Sequence, residues 1–176
     1  MPLSQLDPPP ALIVIDLQKG ILGLPTAHPS HEITGKSADL ARAFRQGGFP
    51  VVLVNVAGGA PGRADQSHSF NPPEDWTDLA PELEQHPSDH VVTKLRWGAF
   101  HETGLDQHLK DLGVTQVVLC GIATSIGVES TARYASEHGY HVVLVEDAMT
   151  DLDHDAHVHS GEVTDTAEVL KAVKAA

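Results

Sequence analysis

Five short, largely apolar runs punctuate the chain: ALIVIDL (11–17), FPVVLVNV (49–56), HVVTK (90–94), QVVLCG (116–121) and YHVVLVEDA (140–148). A strand that is apolar at successive positions, not merely at alternate ones, must be covered on both faces. Segments with helical spacing lie between the runs: SADLARAFRQGG (37–48), GLDQHLKDLGV (104–114) and GVESTARYASEHG (127–139). A final helix follows in SGEVTDTAEVLKAVKAA, with Thr164 or Asp165 as its cap. Strands alternating with helices at this spacing predict an α/β fold, a three-layer α-β-α sandwich around a doubly wound, Rossmann-like parallel sheet. With no internal repeat and no domain boundary, a single domain over residues 1–176 is expected. Ligands of such sheets bind beyond the carboxyl ends of the strands. Asp16, Lys94 and the turn after Cys120 all fall at such ends, so three polar features distant in sequence converge on one edge.

A chain of this length can bury a core without disulfides, and its single cysteine permits no internal one. A reducing, cytoplasmic location is the expectation. The opening MPLSQLDPPPALIVID lacks the basic region and long apolar core of a signal peptide, and no apolar run approaches the ~20 residues of a membrane span. A formal charge of −13, with only eleven Lys and Arg, argues against nucleic acid and anionic membranes as partners. A small molecule is the expected partner. Residues 57–88, rich in Gly, Pro, Asp and Ser, form a long connection of the kind that carries function.

ALIVIDLQKGIL, VVTKLRWGAFHETGLDQHL and VVLCGIATSIGVESTARYASEHGYHVVLVEDAMTD, taken together, resemble the isochorismatase-like hydrolase superfamily, which includes nicotinamidases and other cysteine amidohydrolases. The similarity runs from about residue 11 to about residue 160. It implies a parallel sheet of six strands and an Asp–Lys–Cys site, of which Asp16 and Lys94 match the first two members. Thiol members carry Gly-x-x-Thr-x-x-Cys-Val at the third. Here GIATSIGV places Gly127 at that position, and Cys120 lies seven residues earlier, on the strand. A free cysteine in such a run is most often a small buried apolar residue.

Isochorismatases proper, in the same superfamily, also carry glycine there and hydrolyse an enol ether. Amide hydrolysis benefits from a nucleophile that forms an acyl intermediate; a vinyl ether needs a proton on its enol carbon, after which water attacks. The resemblance therefore implies Asp16 as general acid, with Lys94 orienting it or holding the substrate's carboxylate. A nearby ammonium favours the carboxylate form whereas burial opposes it, and the sequence leaves that balance open. The resemblance also implies a non-proline cis peptide at Ile122–Ala123, backbone N–H groups of Ala123 and Gly127 holding a substrate oxygen, and Thr124 and Ser125 beside the substrate. Thr124 or Ser125 capping a plain strand-to-helix turn is the other reading. Trp97 and Phe100 are expected either to wall the pocket, as the equivalent family segment does, or simply to pack. Arg63, in the long loop, is open to an anionic substrate or to solvent.

No cofactor and no metal are expected. VNVAGGAPGRADQSH lacks the Asp-x-His cluster of nicotinamidases, and His154, His157 and His159 in DLDHDAHVHS read as solvated. The family's sixth strand has no apolar run here, which leaves a sheet of five strands or a stunted sixth from EVTD. A homo-oligomer is expected, a dimer in the first instance. The alternatives are a silent small-molecule binder and a cysteine amidohydrolase working through Cys120.

Overall fold

The computed structural model describes residues 3, 5–59, 72–153, 155 and 162–176. Six parallel strands form one sheet in the order β3-β2-β1-β4-β5-β6: β1 (Pro10–Ile15), β2 (Val51–Val56), β3 (His90–Lys94), β4 (Gln116–Ile122), β5 (His141–Thr150) and β6 (Glu162–Thr164). The five apolar runs are the first five strands. The sixth is the stunted edge: three residues of EVTD pair in parallel with Val143–Val145 of β5. A strand this short needs no apolar run of its own, because only β5 flanks it.

Helices cover both faces. On one side α2 (Ser30–Gln46) and the C-terminal α5 (Thr166–Ala175) enclose a core that includes Leu12, Val14, Phe44, Val118, Cys120 and Val169. On the other, α3 (Leu105–Asp111) and α4 (Glu129–Glu137) enclose Ile13, Ile15, Leu109, Leu119 and Ala132. Neighbouring residues of β1 and of β4 thus enter opposite cores, which is why those runs are apolar throughout. A four-residue helix, α1 (Lys19–Leu22), follows β1.

Two helix boundaries differ from the sequence expectation. α2 begins at Ser30, seven residues before the predicted start at Ser37, because buried Ile33 and Thr34 extend its core face through a stretch whose Gly35 reads as a break. The segment predicted to start at Gly127 begins instead with a π-turn over Thr124–Val128, closed by an i→i+5 bond from Val128 N–H to the Ala123 carbonyl at 3.1 Å. At the C-terminus Asp165 is the cap and accepts a hydrogen bond from Glu168 N–H.

The chain leaves β1 for β2 and β3 on one side, then returns to place β4 on the other side of β1. The crevice at that reversal is where an open parallel sheet binds its ligand.

Candidate active site

Asp16 follows β1 directly and Lys94 ends β3, two strands away. The lysine arm crosses the end of β2, and its Nζ donates to Asp16 Oδ2 at 2.7 Å. Both are withdrawn from solvent, at 6 % and 2 % exposure. Asp16 adopts a left-handed φ of 52°, a conformation that aspartate enters more readily than most side chains. Its other oxygen, Oδ1, is buried with no hydrogen-bond partner. Burial is the largest influence on this carboxyl and pushes its pKa from 3.8 to about 6, against the Lys94 charge and hydrogen bond. Desolvation wins the contest that the sequence left open.

Gly127 faces the same carboxylate. A Cβ there would lie 3.0 Å from Asp16 Oδ2 and 3.0 Å from Ile15 Cγ2. The position that the resemblance aligns with the family's thiol therefore lies against the Asp16 carboxylate, with no side chain in between. Gly121 makes the approach possible: at φ 121°, a Cβ on it would stand 2.1 Å from the Ile15 carbonyl oxygen, so only glycine lets β4 end this close to β1. The Ile122–Ala123 peptide is cis.

These groups floor a cavity of about 240 Å³, lined by Asp16, Lys94, Trp97, Ala123 and Gly127, with apolar walls from Ile21, Leu24, Val56, Trp76, Ile122, Ile126 and Leu152. Trp97 stands 67 % exposed at the mouth. Phe100 does not line this cavity. It is buried in the α3/α4 core, stacked on His138 at 5.5 Å and tilted against Tyr140, so it packs. Thr124 and Ser125 also stay out of the lining. Thr124 is buried with its Oγ1 unpartnered, and neither side chain caps the turn. The cap comes from Asp151, whose Oδ2 accepts Ser125 N–H at 2.6 Å. Burial works against that charge, but the bonds from Ser125, Asp153 and Leu152 hold the Asp151 carboxyl below its ordinary value.

Sequence reasoning missed the residue that ties the pocket together. Gln18, wholly buried, accepts Val56 N–H at 2.7 Å through Oε1 and donates Nε2 to the Val56 and Trp76 carbonyls, both at 3.0 Å. It mimics a peptide at the end of β2 and fixes Trp76, whose ring lies so close over Gly20 that a Cβ there would meet it at 2.2 Å. An amide two residues beyond a strand-end aspartate, and a tryptophan inside a Gly/Pro/Asp loop, were the signals available. Arg63, His154, His157 and His159 lie outside the described residues. Among the described residues no group of three or more His, Cys, Asp or Glu is arranged to hold a metal ion, and no helix is long and apolar enough to cross a membrane.

A six-stranded parallel α/β sheet with a buried acid–lysine pair at its reversal point defines a hydrolase of the isochorismatase-like class. The chain belongs to the isochorismatase family: the isochorismatase domain matches residues 10–172. It is 38 % identical over 180 residues to the uncharacterized isochorismatase family protein YwoC of Bacillus subtilis, covering 93 % of this chain and 94 % of that protein. The solved structure of an isochorismatase family protein of Burkholderia thailandensis superposes with a TM-score of 0.91 at 40 % identity, over 97 % of this chain and 98 % of its own. N-carbamoylsarcosine amidase of Thermoplasma acidophilum superposes at 0.76 with 28 % identity, over 89 % and 96 % of the two chains.

Proposed function

We propose that this hydrolase works without a thiol nucleophile, by acid-catalysed hydrolysis of an enol ether in a small carboxylated metabolite. Asp16 gives its proton to the terminal enol carbon, and the ether-bearing carbon becomes an oxocarbenium-like centre. Water adds there and returns a proton to the Asp16 carboxylate. The hemiketal then breaks its C–O bond, releasing an alcohol and a ketone, so every atom and proton is accounted for. Lys94 orients Asp16 through Oδ2 and leaves Oδ1 for the reacting carbon. The backbone N–H groups of Ala123 and Gly127 hold a substrate oxygen. No cofactor or metal takes part.

The observation that carries this reading is the unpartnered, buried Oδ1 of an aspartate whose pKa is pushed to about 6, lying against a glycine. At pH 7 roughly a tenth of such carboxyls hold a proton, against fewer than about one in a thousand at an ordinary pKa of 3.8. Cys120 is set apart from this chemistry: it is wholly buried in the α2/α5 core, is not part of the cavity lining, and burial pushes its thiol up to about 12. Isochorismate turnover is the test, followed by release of its keto acid. The purified protein and Cys120→Ala should be active and Asp16→Asn inactive. Inactivity of all three would sink the enol-ether assignment and favour a silent binder or a different substrate.

A further inference from the structure

Lys94 is committed to Asp16, and it is the single cation among the described residues lining the Asp16 cavity. A carboxylated substrate therefore needs a second positive group nearby. One stands next door. A cavity of about 290 Å³ shares the Trp97 indole with the first and is otherwise lined by Arg96, Gly98, His101, Ser130 and Tyr134. Arg96 Nη1 donates to the Gly59 carbonyl at 3.4 Å and to that of Leu95 at 3.1 Å, and Gly58, the residue before Gly59, lines the Asp16 cavity.

Arg96 Nη2 and His101 Nε2 converge on a single oxygen, Oε2 of Glu102, at 3.7 and 3.6 Å. Both distances exceed the ~3.2 Å limit of a good hydrogen bond, so attraction draws the carboxylate in without seating it. The Glu102 side chain is 72 % exposed, on a residue with φ 56°, so a turn presents it at the rim. Arg96, at 26 %, is the better anchored partner.

We propose that this second cavity is the specificity subsite for the substrate's carboxylate, with Arg96 as its cation and Glu102 as an intramolecular competitor for the same place. The inference rests on the carboxylated-substrate reading above and adds where that carboxylate sits. The dimensions agree: an apolar cavity of ~150 Å³ takes up benzene, so the Asp16 cavity holds one ring against Trp97 while a substituent reaches Arg96.

The test is binding, without chemistry. NMR titrations use benzoate and its uncharged isostere benzamide on the wild type, Arg96→Gln and Glu102→Gln, all at one ionic strength. Benzoate should shift the amides of Trp97, Gly98 and His101. Loss of one charge-assisted contact in Arg96→Gln should weaken it about tenfold or more. Glu102→Gln should tighten it severalfold by removing the competitor, and benzamide should bind all three alike. Both substituted side chains reach solvent, so the folds should survive. Equal benzoate affinity for Arg96→Gln and the wild type, weaker binding to Glu102→Gln, or no benzoate binding at all would overturn the proposal. Because no turnover is measured, inactivity towards isochorismate would leave this result standing, and the reverse also holds.

Discussion

Replacing Asp16 by Asn should abolish turnover and at the same time relieve the folded state of a cost. The carboxyl has a pKa of 3.8 in the unfolded chain and about 6 in the folded one. Between those values the folded protein holds the extra proton, so stability falls as pH rises. The contribution is fully present below about pH 3.8 and lost as pH passes through about 6, which amounts to about 3 kcal/mol at pH 7. Asparagine keeps the shape, can accept from Lys94 through its amide oxygen, and has no titration to lose. Unfolding by urea at pH 4 and at pH 7, on wild type and Asp16→Asn, isolates the effect as a difference of differences. Other carboxylates cancel. The variant should gain roughly 2 kcal/mol on the wild type across that interval. A parallel pair of stability curves would refute the claim that burial dominates at Asp16. A variant that loses ground at pH 7 would mean that Lys94 dominates and that Asp16 is a plain ion-pair partner.

Removing Lys94 takes away the two influences that hold the Asp16 pKa down. Lys94→Met should therefore move the alkaline limb of the kcat/KM profile above its wild-type position near pH 6, and an unmoved or lowered limb would count against the acid role. Gln18→Leu leaves the Val56 N–H and the Val56 and Trp76 carbonyls without their side-chain partner. It should cost about 2–4 kcal/mol in urea unfolding and raise KM more than it lowers kcat, with a shift in tryptophan emission as Trp76 loosens. Gly127→Ala places a methyl 3.0 Å from Asp16 Oδ2. It should cut kcat at least tenfold for a stability loss of about 1–3 kcal/mol, and retention of full activity would show that the space beside the acid is not used.

How much of this was legible in the sequence depended on whether a residue signals through its own neighbours or through partners far along the chain. The strands are local facts: runs such as VVLV and VVLC can be little else than strands buried on both faces. Asp16 and Lys94 stood at strand ends, so their convergence followed from the sheet alone. The balance between burial and Lys94 at Asp16 did not, since it depends on walls supplied by residues as distant as Trp76 and Leu152. Phe100 and Trp97 sit three residues apart in RWGAF, yet one enters the α3/α4 core and the other the solvent. The turn decides which, and residue type does not. Gln18 and Asp151 escaped because each acts on a backbone group many positions away, Val56 and Ser125 respectively. The sixth strand was ambiguous because an edge of three residues carries almost no pattern.

The two glycines of GIATSIG bear directly on the thiol-free mechanism proposed above. Gly121 lets the end of β4 press onto the Ile15 carbonyl, and that contact brings the π-turn over Asp16. The backbone thus adds to an enclosure of the carboxyl that the apolar walls of the cavity also supply. Gly127 leaves the pressed-in carboxylate without a side chain against Oδ2, the oxygen that Lys94 holds, while Oδ1 lacks a partner. The proposed proton delivery needs a carboxyl whose neutral form is populated near neutrality. The enclosure supplies this, because burial outweighs the Lys94 charge and raises the Asp16 pKa to about 6. On the proposed mechanism Lys94 holds Oδ2 and so orients the other oxygen for the proton transfer.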